Sequence, residues 1–402
     1  MNLFKKTTLF VFALSFSFTS FAQTVEYSNF LNTITTAVPF LLIGPDSRSG
    51  GMGDIGVATS PDASSSYWNV SKTAFMEKEK ALSISYTPWL RSLVPDINLA
   101  HLAYTWKFKE RIYFSHALRY FSLGKINFTD DIGNAIQEVN PNELALDLIG
   151  VGYRMSEHFS GGFNFRYIYS NLTAGASLNG VESKAGQAVA ADLNGMYLNK
   201  VKLGKYETDI SFGFNIQNIG NKVSYSESSE KNFIPMNLKL GGGINLKLDE
   251  YNKMGFYLDV NKLLVPTPPV YKSDGNNNPI KVNGEYVIEK GMNPNVSIAQ
   301  AVFQSFYDAP GGAREEFNEI NWAIGMEYWY DKQFAIRAGY FYENPNKGNR
   351  QHFTLGAGLK YNVFNLDFSY LIPLIQTNPL GNTLRFTMSF DFAAIKNTEE
   401  VD

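Results

Sequence analysis

From Lys80 onward the sequence alternates between apolar and polar residues in repeated segments. In one segment, Ile210, Phe212, Phe214 and Ile216 alternate with Ser211, Gly213 and Asn215. Successive side chains of a β-strand point to opposite faces, so this period of two predicts strands with one apolar and one polar face. About fourteen such segments are present, each of roughly 10 residues, which is the length that a tilted strand needs to cross a bilayer.

The composition favours a large β-structure and excludes several other classes of protein. The 402 residues include 31 Phe, 23 Tyr and 33 Gly, and 18% are charged, where about 25% is usual in soluble domains. A mean hydropathy of −0.19 is too low for a helical membrane protein. A net charge of −3 provides no basic excess for nucleic acid. Without Cys and with four scattered His, we expect no metal and no other cofactor.

The lengths of the connections separate a membrane barrel from a soluble sandwich, which would also alternate. Long connections are expected near residues 123–142, 171–185, 220–235, 265–320, 343–351 and 373–383. Short turns are expected near residues 107–110, 155–158, 200–207, 249–253, 331–333 and 361–362. Strict alternation of long and short connections is typical of outer-membrane barrels, with short periplasmic turns and long external loops.

We therefore predict an all-β membrane protein, an antiparallel outer-membrane β-barrel of about 14 strands over residues 80–392 with an N-terminal plug. Charged residues inside predicted strands are expected to face the lumen, because a charge on the lipid face is costly. These residues are Asp147, Asp192, Asp259, Glu327, Asp367, Arg119, Arg166 and Arg337.

The two ends of the chain are expected to lie outside the barrel wall. Lys5 and Lys6 precede an apolar stretch and a small-residue site at Ser20–Ala22, which predicts a secretory signal peptide over residues 1–22. Residues 23–79 are irregular and rich in Gly and Ser, and form the predicted plug or hatch segment. Residues 393–402 are a C-terminal tail. The prediction is a multi-pass barrel, exported to the outer membrane of a Gram-negative bacterium.

Two patterns resemble sites of chemistry but lack the required context. Gly51-x-Gly53-x-x-Gly56 fits a dinucleotide fingerprint, which needs a preceding strand and a following helix. The acidic pairs Asp130–Asp131 and Glu315–Glu316 suit calcium, although solvated loop charge explains them as well. We predict no catalytic residue and a protein that is not an enzyme.

The N-terminal segment contains a plug motif formed by Pro45, Asp46, Arg48, Gly50, Gly51, Met52, Gly53, Asp54, Gly56, Asp62, Trp68 and Asn69. This motif resembles the start of the PorV (LptO) family of the type IX secretion system, within the FadL-like barrel superfamily. Glycines permit tight turns inside the lumen, and Asp46, Arg48 and Asp54 are expected to pair with lumen charges. Asn69-Val70-Ser71 stands where FadL-like hatches have Asn-Pro-Ala, so the proline is missing.

The resemblance implies a non-enzymatic secretion component with several partners. PorV-like barrels are understood to bind the C-terminal domain of cargo proteins as these leave a giant translocon barrel. They then carry the cargo to a surface attachment complex that contains a sortase-like protease. Outer-membrane lipid and lipopolysaccharide surround such a barrel, and no nucleic acid takes part.

The long connection 265–320 is the candidate partner-binding loop, because it is too large for a mere connection. It opens with a stiff apolar stretch, and a helix from a cap at Asn295 to Tyr307 is expected to follow. The candidate contact residues are Pro266, Thr267, Pro268, Pro269, Val270, Tyr271, Ile298, Val302, Phe303 and Phe306. Packing of this helix on the barrel's own rim is the alternative.

Two other functions stay open. A FadL-like transporter of hydrophobic small molecules would need an apolar lumen pocket beside a movable plug. A lipopolysaccharide deacylase would need a nucleophile–base pair near the outer leaflet, and Ser and His are only scattered there.

Overall fold

Fourteen antiparallel strands pair in chain order, and the last strand pairs with the first, so that the sheet closes into a barrel. The strands are β1 Lys80–Pro88, β2 Asn98–Lys109, β3 Ile112–Ser122, β4 Asn142–Arg154, β5 Phe159–Asn171, β6 Gly186–Leu203, β7 Tyr206–Gly220, β8 Asn237–Lys247, β9 Asn252–Leu263, β10 Asn321–Tyr330, β11 Phe334–Tyr342, β12 Gln351–Tyr361, β13 Phe364–Pro373 and β14 Leu384–Phe392. The prediction of a 14-stranded antiparallel barrel is confirmed.

The computed structural model describes residues 31–392 except 91–93, 95, 130–131, 133–134, 174–176, 179–180, 227–230, 275, 277, 375–380 and 382. The predicted signal peptide 1–22 and tail 393–402 therefore lie outside the described residues, as do Asp130 and Asp131. Within the described part of the chain, no helix is long and apolar enough to span a membrane.

Long and short connections alternate around the barrel as the sequence predicts. Turns of two to four residues follow the even-numbered strands, for example residues 110–111 and 204–205. The connections after odd-numbered strands are longer, and some of them carry small hairpins of their own, such as Ile126–Thr129 with Ala135–Val139. We call the two rims the short-turn end and the long-connection end.

The two faces of the wall differ as the period of two requires. Outward side chains are apolar and exposed, as at Phe212, Leu240 and Phe256. Inward side chains are polar, small or charged and buried, as at Ser83, Asn215 and Asp259. All eight charged residues that were expected to face the lumen are buried. The apolar outer face is the surface that hydrocarbon solvates well and water does not.

A charge on the outward face should destabilise the barrel. Leu240 lies inside β8 and is half exposed, so Leu240→Arg is expected to lower the free energy of unfolding in lipid vesicles by about 2–4 kcal/mol. The matched control is Val363→Arg, an exposed apolar residue in the turn between β12 and β13. Equal loss of stability in both variants, measured by urea titration, would mean that the outer face does not contact hydrocarbon.

Candidate functional site

Residues 31–79, which we call the N-terminal segment, run through the interior of the barrel. The segment forms four short helices, Pro39–Leu42, Ser47–Gly50, Ser65–Trp68 and Val70–Phe75. Its hydrogen bonds reach inward groups on strands around the wall, for example Ser83 of β1, Asn194 of β6 and Thr354 of β12. Because these strands lie on different sides of the barrel, the segment fills the lumen between them.

Glycines on both partners let the segment lie against the wall backbone to backbone. A Cβ on Gly51 would lie 2.9 Å from Gly356 Cα, and one on Gly339 would lie 2.1 Å from the carbonyl carbon of Met52. Gly53 has a φ of +77°, which only glycine adopts at little cost. The glycine-rich motif therefore serves packing and a turn. The dinucleotide-type spacing has no strand before it and no long helix after it.

Arg48 and Glu327 form the centre of the charge network between segment and wall. The guanidinium of Arg48 donates to both Glu327 oxygens at 2.9 and 2.8 Å and to Asp62 at 2.7 Å. Arg337 of β11 donates to Glu327 and to Asp367 of β13. Two guanidinium groups thus share the Glu327 carboxylate, and Arg48 joins the segment to a charge network of three wall strands.

Asp46 and Asp54, the two aspartates that were expected to pair with lumen charges, have different roles. Asp54 pairs with Arg385 of β14, an inward charge of the wall, as expected. Asp46 differs, because its carboxylate accepts from Trp68 Nε1 at 2.5 Å and from the Ser49 amide at 2.9 Å. It therefore caps the helix that follows it and fixes Trp68 instead of forming an ion pair with the wall.

Asn69 joins three pieces of backbone at the position of the hatch motif. Its amide donates to the Val57 and Gly195 carbonyls, both at 3.0 Å, and its oxygen accepts from the Ser71 amide. Pro45, Met52 and Trp68 are buried nearby, and a Cβ on Gly56 would lie 2.2 Å from the Trp68 ring. These residues of the plug motif hold a fixed, closely packed arrangement.

Sequence reasoning did not single out several inward cations, among them Lys72, Lys239 and Arg385. Lys72 of the segment is fully buried and donates to the Gly56 carbonyl and the Thr59 hydroxyl, both at 2.8 Å. Lys239 and Arg385 lie inside β8 and β14 and are also buried. The same alternation that assigned the other wall charges to the lumen places Lys239 and Arg385 there, so their positions in the sequence were sufficient to find them.

The long connection between β9 and β10, residues 264–320, is folded and not extended. It contains the hairpin strands Lys281–Val282 and Glu285–Tyr286, the pair Val270–Tyr271 and Ile288–Lys290, and helices Ile298–Gln304 and Ala313–Asn318. The helix cap is Ser297, whose hydroxyl accepts from the Gln300 amide, and not Asn295 as expected.

The apolar stretch at the start of this loop is largely enclosed. Pro266, Thr267 and Pro269 are buried, and Pro268, Val270 and Tyr271 are partly buried. Thr267 is held by its amide to Asp308 at 3.1 Å and by its hydroxyl to Glu319 at 2.7 Å. The structure thus places this stretch in the support of the loop, and its contact with a partner stays a prediction.

The first helix of the loop divides its apolar residues between two sides. Ala301 is buried, and Ile298 and Val302 pack against a cluster that includes residues of the wall and the N-terminal segment. Phe303 is 70% exposed, and Phe306, Tyr307 and Phe317 are exposed as well, with Phe317 at 74%. We call these four residues the aromatic patch. One side of this helix therefore packs on the barrel's own rim, and partner binding by its exposed side stays a prediction.

Ion pairs attach the loop to the barrel. Lys262 at the end of β9 donates to Glu319 at 2.7 Å and to Glu316 at 3.0 Å, and Lys347 bonds Glu319 and Glu315. Asn32 of the N-terminal segment donates to Glu315 at 2.9 Å. The acidic pair Glu315–Glu316 thus has lysine partners. In the described ranges, no three His, Asp or Glu side chains are grouped to hold a metal ion.

The pKa values of two carboxyl groups of the loop are shifted in opposite directions. Burial raises the pKa of Asp308 to about 6, with Glu316 and Glu319 adding to the rise and bonds from Thr267 and Gln304 opposing it. For Glu315, burial raises the pKa, but the bonds from Lys347 and the Gly311 amide outweigh it, so that the pKa is lowered.

A closed, lipid-compatible barrel with a filled polar interior defines the class of outer-membrane β-barrel proteins. Residues 26–270 match the family described as "Type IX secretion system protein PorV". The chain belongs to the PorV family. Members of this family are outer-membrane components of the type IX secretion system, and it is not an enzyme family. A comparison with curated proteins finds no match.

Solved structures with a similar trace are barrels of distant sequence. The P. putida toluene transporter TodX is 12% identical, with 88% of this chain and 99% of that chain covered and a TM-score of 0.49. The Ralstonia pickettii toluene transporter TbuX is 11% identical, with 87% and 98% covered and a TM-score of 0.46. A Pseudomonas aeruginosa FadL homologue is 9% identical, with 90% and 99% covered and a TM-score of 0.43.

A side chain at position 339 should displace the N-terminal segment and spare the barrel. Gly339→Val suits a strand but would collide with the Met52 backbone, so we expect the segment to lose about 1–3 kcal/mol or more of packing. Limited proteolysis should then cut near Met52, while heat-modifiable migration still reports a folded barrel. The control Gly242→Val faces outward with ordinary contacts at 3.6 Å; cleavage in both variants would contradict the packing.

The loop 264–320 should become less stable as the pH rises through about 6. Because the folded-state pKa of Asp308 is raised, the folded loop binds its proton more tightly, so the stabilisation present at low pH is lost above about 6. Hydrogen exchange of the loop, corrected for intrinsic rates, should be slower at pH 5 than at pH 8. Asp308→Asn should remove this dependence and Glu289→Gln should keep it; an unchanged dependence in Asp308→Asn would refute the assignment.

Proposed function

We propose that this protein binds secreted cargo proteins at the cell surface and carries them from the translocon barrel to the attachment complex. The observation that carries the proposal is the match of residues 26–270 to the PorV family. In this proposal, a signal peptide over residues 1–22 directs export, and the long-connection end faces the exterior, as in other outer-membrane barrels. The partners are the giant translocon barrel, the C-terminal domains of cargo and the sortase-like attachment complex.

The aromatic patch is the surface that we assign to partner binding. Large apolar side chains rimmed by polar residues mark interaction sites when they are exposed together. Aromatic residues are enriched among the few that dominate binding energy. Phe303 and Phe317 lie on the two helices of a loop that Lys262 and Lys347 attach to the barrel. A loop that is already fixed to the barrel loses less conformational entropy when a partner binds the patch than a flexible loop would.

The filled interior supports a role as a plugged carrier and weighs against a conducting one. The N-terminal segment is joined to the wall by Arg48–Glu327 and Asp54–Arg385 and by close glycine contacts. Opening a path would break several buried charge pairs, each of which is costly to separate. We infer that the segment is a permanent plug in the secretion cycle.

A deacylase function has little support from the histidines. His101 and His352 are buried, and their ring nitrogens have no hydrogen-bond partner in the described part of the chain. His158 contacts the Leu198 carbonyl. A nucleophile–base pair would need a hydroxyl close to such a ring, and none of these rings bonds one.

Removal of the aromatic patch should reduce cargo binding and leave the barrel intact. In Phe303→Ser/Phe306→Ser/Phe317→Ser, we expect the amount of secreted protein that co-purifies in mild detergent to fall about tenfold or more, since patch residues of this kind dominate binding. The matched control is Val282→Ser/Tyr286→Ser, which changes two exposed apolar residues in the hairpin of the same loop.

Heat-modifiable migration of each variant shows whether its barrel is folded. Secretion and co-purification at the level of the unchanged protein, with a folded barrel, would exclude the patch as the partner surface. Loss of binding in the control as well would assign binding to the loop as a whole.

A further inference from the structure

A cavity of about 440 Å³ lies at the long-connection end of the lumen, between the N-terminal segment and the wall. Its volume is within the range of small-molecule pockets, roughly 300–1,000 Å³. Strand residues that line it, such as Asn261, Asn321 and His352, stand near the long-connection ends of β9, β10 and β12. Trp89, Leu263 and Leu371 supply apolar surface.

The wall of this cavity carries one cation more than its carboxylates neutralise. Arg385 pairs with Asp54, Arg350 with Glu343 and Lys347 with Glu319, and all six residues line the cavity. Lys239 is 6% exposed, and its ammonium lies 4.7 Å from the centre of the Trp68 ring. In the described part of the chain it forms no ion pair, because the carboxylate of Asp259 on β9, which attracts it, bonds the Gly56 and Val57 amides instead. A buried cation without a carboxylate is rare unless it meets an anion.

Three more polar side chains at the cavity have buried atoms with no hydrogen-bond partner among the described residues. Both ring nitrogens of His352 are buried and unbonded among the described residues, and the ring is stacked on Phe341 at 5.1 Å. The side-chain oxygens of Asn261 and Asn321 are buried and accept no hydrogen bond there. Such groups are normally satisfied, and these acceptors require donors such as hydroxyl groups.

We propose that this cavity binds a small organic anion that carries hydroxyl groups. The anionic group contacts Lys239, and hydroxyl groups donate to Asn261 and Asn321, with His352 as a further donor or acceptor. The apolar residues of the wall pack against the carbon frame. This mixed lining differs from the wholly apolar pocket that a transporter of hydrophobic molecules requires. The cavity is separate from the aromatic patch and does not depend on the function assigned to it.

Isothermal titration calorimetry on the detergent-solubilised full chain tests the proposal with four soluble probes. Citrate and glucose 6-phosphate combine an anion with hydroxyl groups, whereas acetate lacks hydroxyls and glucose lacks charge. We expect the first two to bind at least about tenfold more tightly than the last two, because each lacks one class of contact. A fifth arm with purified lipopolysaccharide distinguishes a lipid head group from a free anion.

Lys239→Met should weaken binding about tenfold or more by removing the charge and keeping the length of the side chain. Lys360→Met is the matched control, an inward lysine at the short-turn end of β12 that pairs with Asp391 outside the cavity. If Lys239→Met fails to fold, Leu371→Trp fills the cavity instead and should also abolish binding.

Binding of the hydroxylated anions that Lys239→Met weakens and Lys360→Met does not would support the proposal. Binding of lipopolysaccharide alone with the same dependence on Lys239 would support the chemistry and identify the lipid head group as its source. Absence of binding in every arm, or equal binding in the two lysine variants, would overturn it.

Discussion

The closure of the sheet through β1 and β14 is the constraint on which the rest of the structure depends. Backbone amides and carbonyls cannot remain unpaired in hydrocarbon, so a strand barrel in a membrane has no free edge. Closure fixes one face of every strand towards lipid and the other towards the lumen. Leu240 and Phe256 therefore contact hydrocarbon, while Asn215 and Asp259 must find polar partners inside the barrel.

The N-terminal segment supplies those partners. Asp259 accepts from the Gly56 and Val57 amides, and Glu327 is shared between Arg48 and Arg337. Removing one member of a buried pair typically costs about 3–5 kcal/mol, because a charge is left without a partner. The segment thus satisfies buried charges of the wall, which supports our proposal of a barrel that acts through its rim.

At the long-connection end, the loop 264–320 is attached to the barrel and presents exposed aromatic side chains to solvent. Lys262, Lys347 and Thr267 all bond the carboxylate of Glu319, which directly follows the second loop helix. Attachment leaves Phe303 and Phe317 in solvent, where apolar side chains are costly unless a partner covers them. The buried proline stretch at the start of the loop supports this arrangement. Its composition alone would fit a supporting role and a partner contact equally well.

The sequence by itself determined the barrel, a strand count of about 14 and the inward direction of the charged wall residues that it singled out. Period-two alternation is a local property of the backbone, and a lipid face tolerates no charge, so Arg337 and Asp367 had one possible direction. It also carried the family resemblance. Only the tertiary structure decided which groups meet. Among the described residues, Asp46 bonds Trp68 and forms no ion pair with a wall cation, and Lys239 forms no ion pair. Ion pairing depends on distances between segments far apart in the chain, which alternation does not encode.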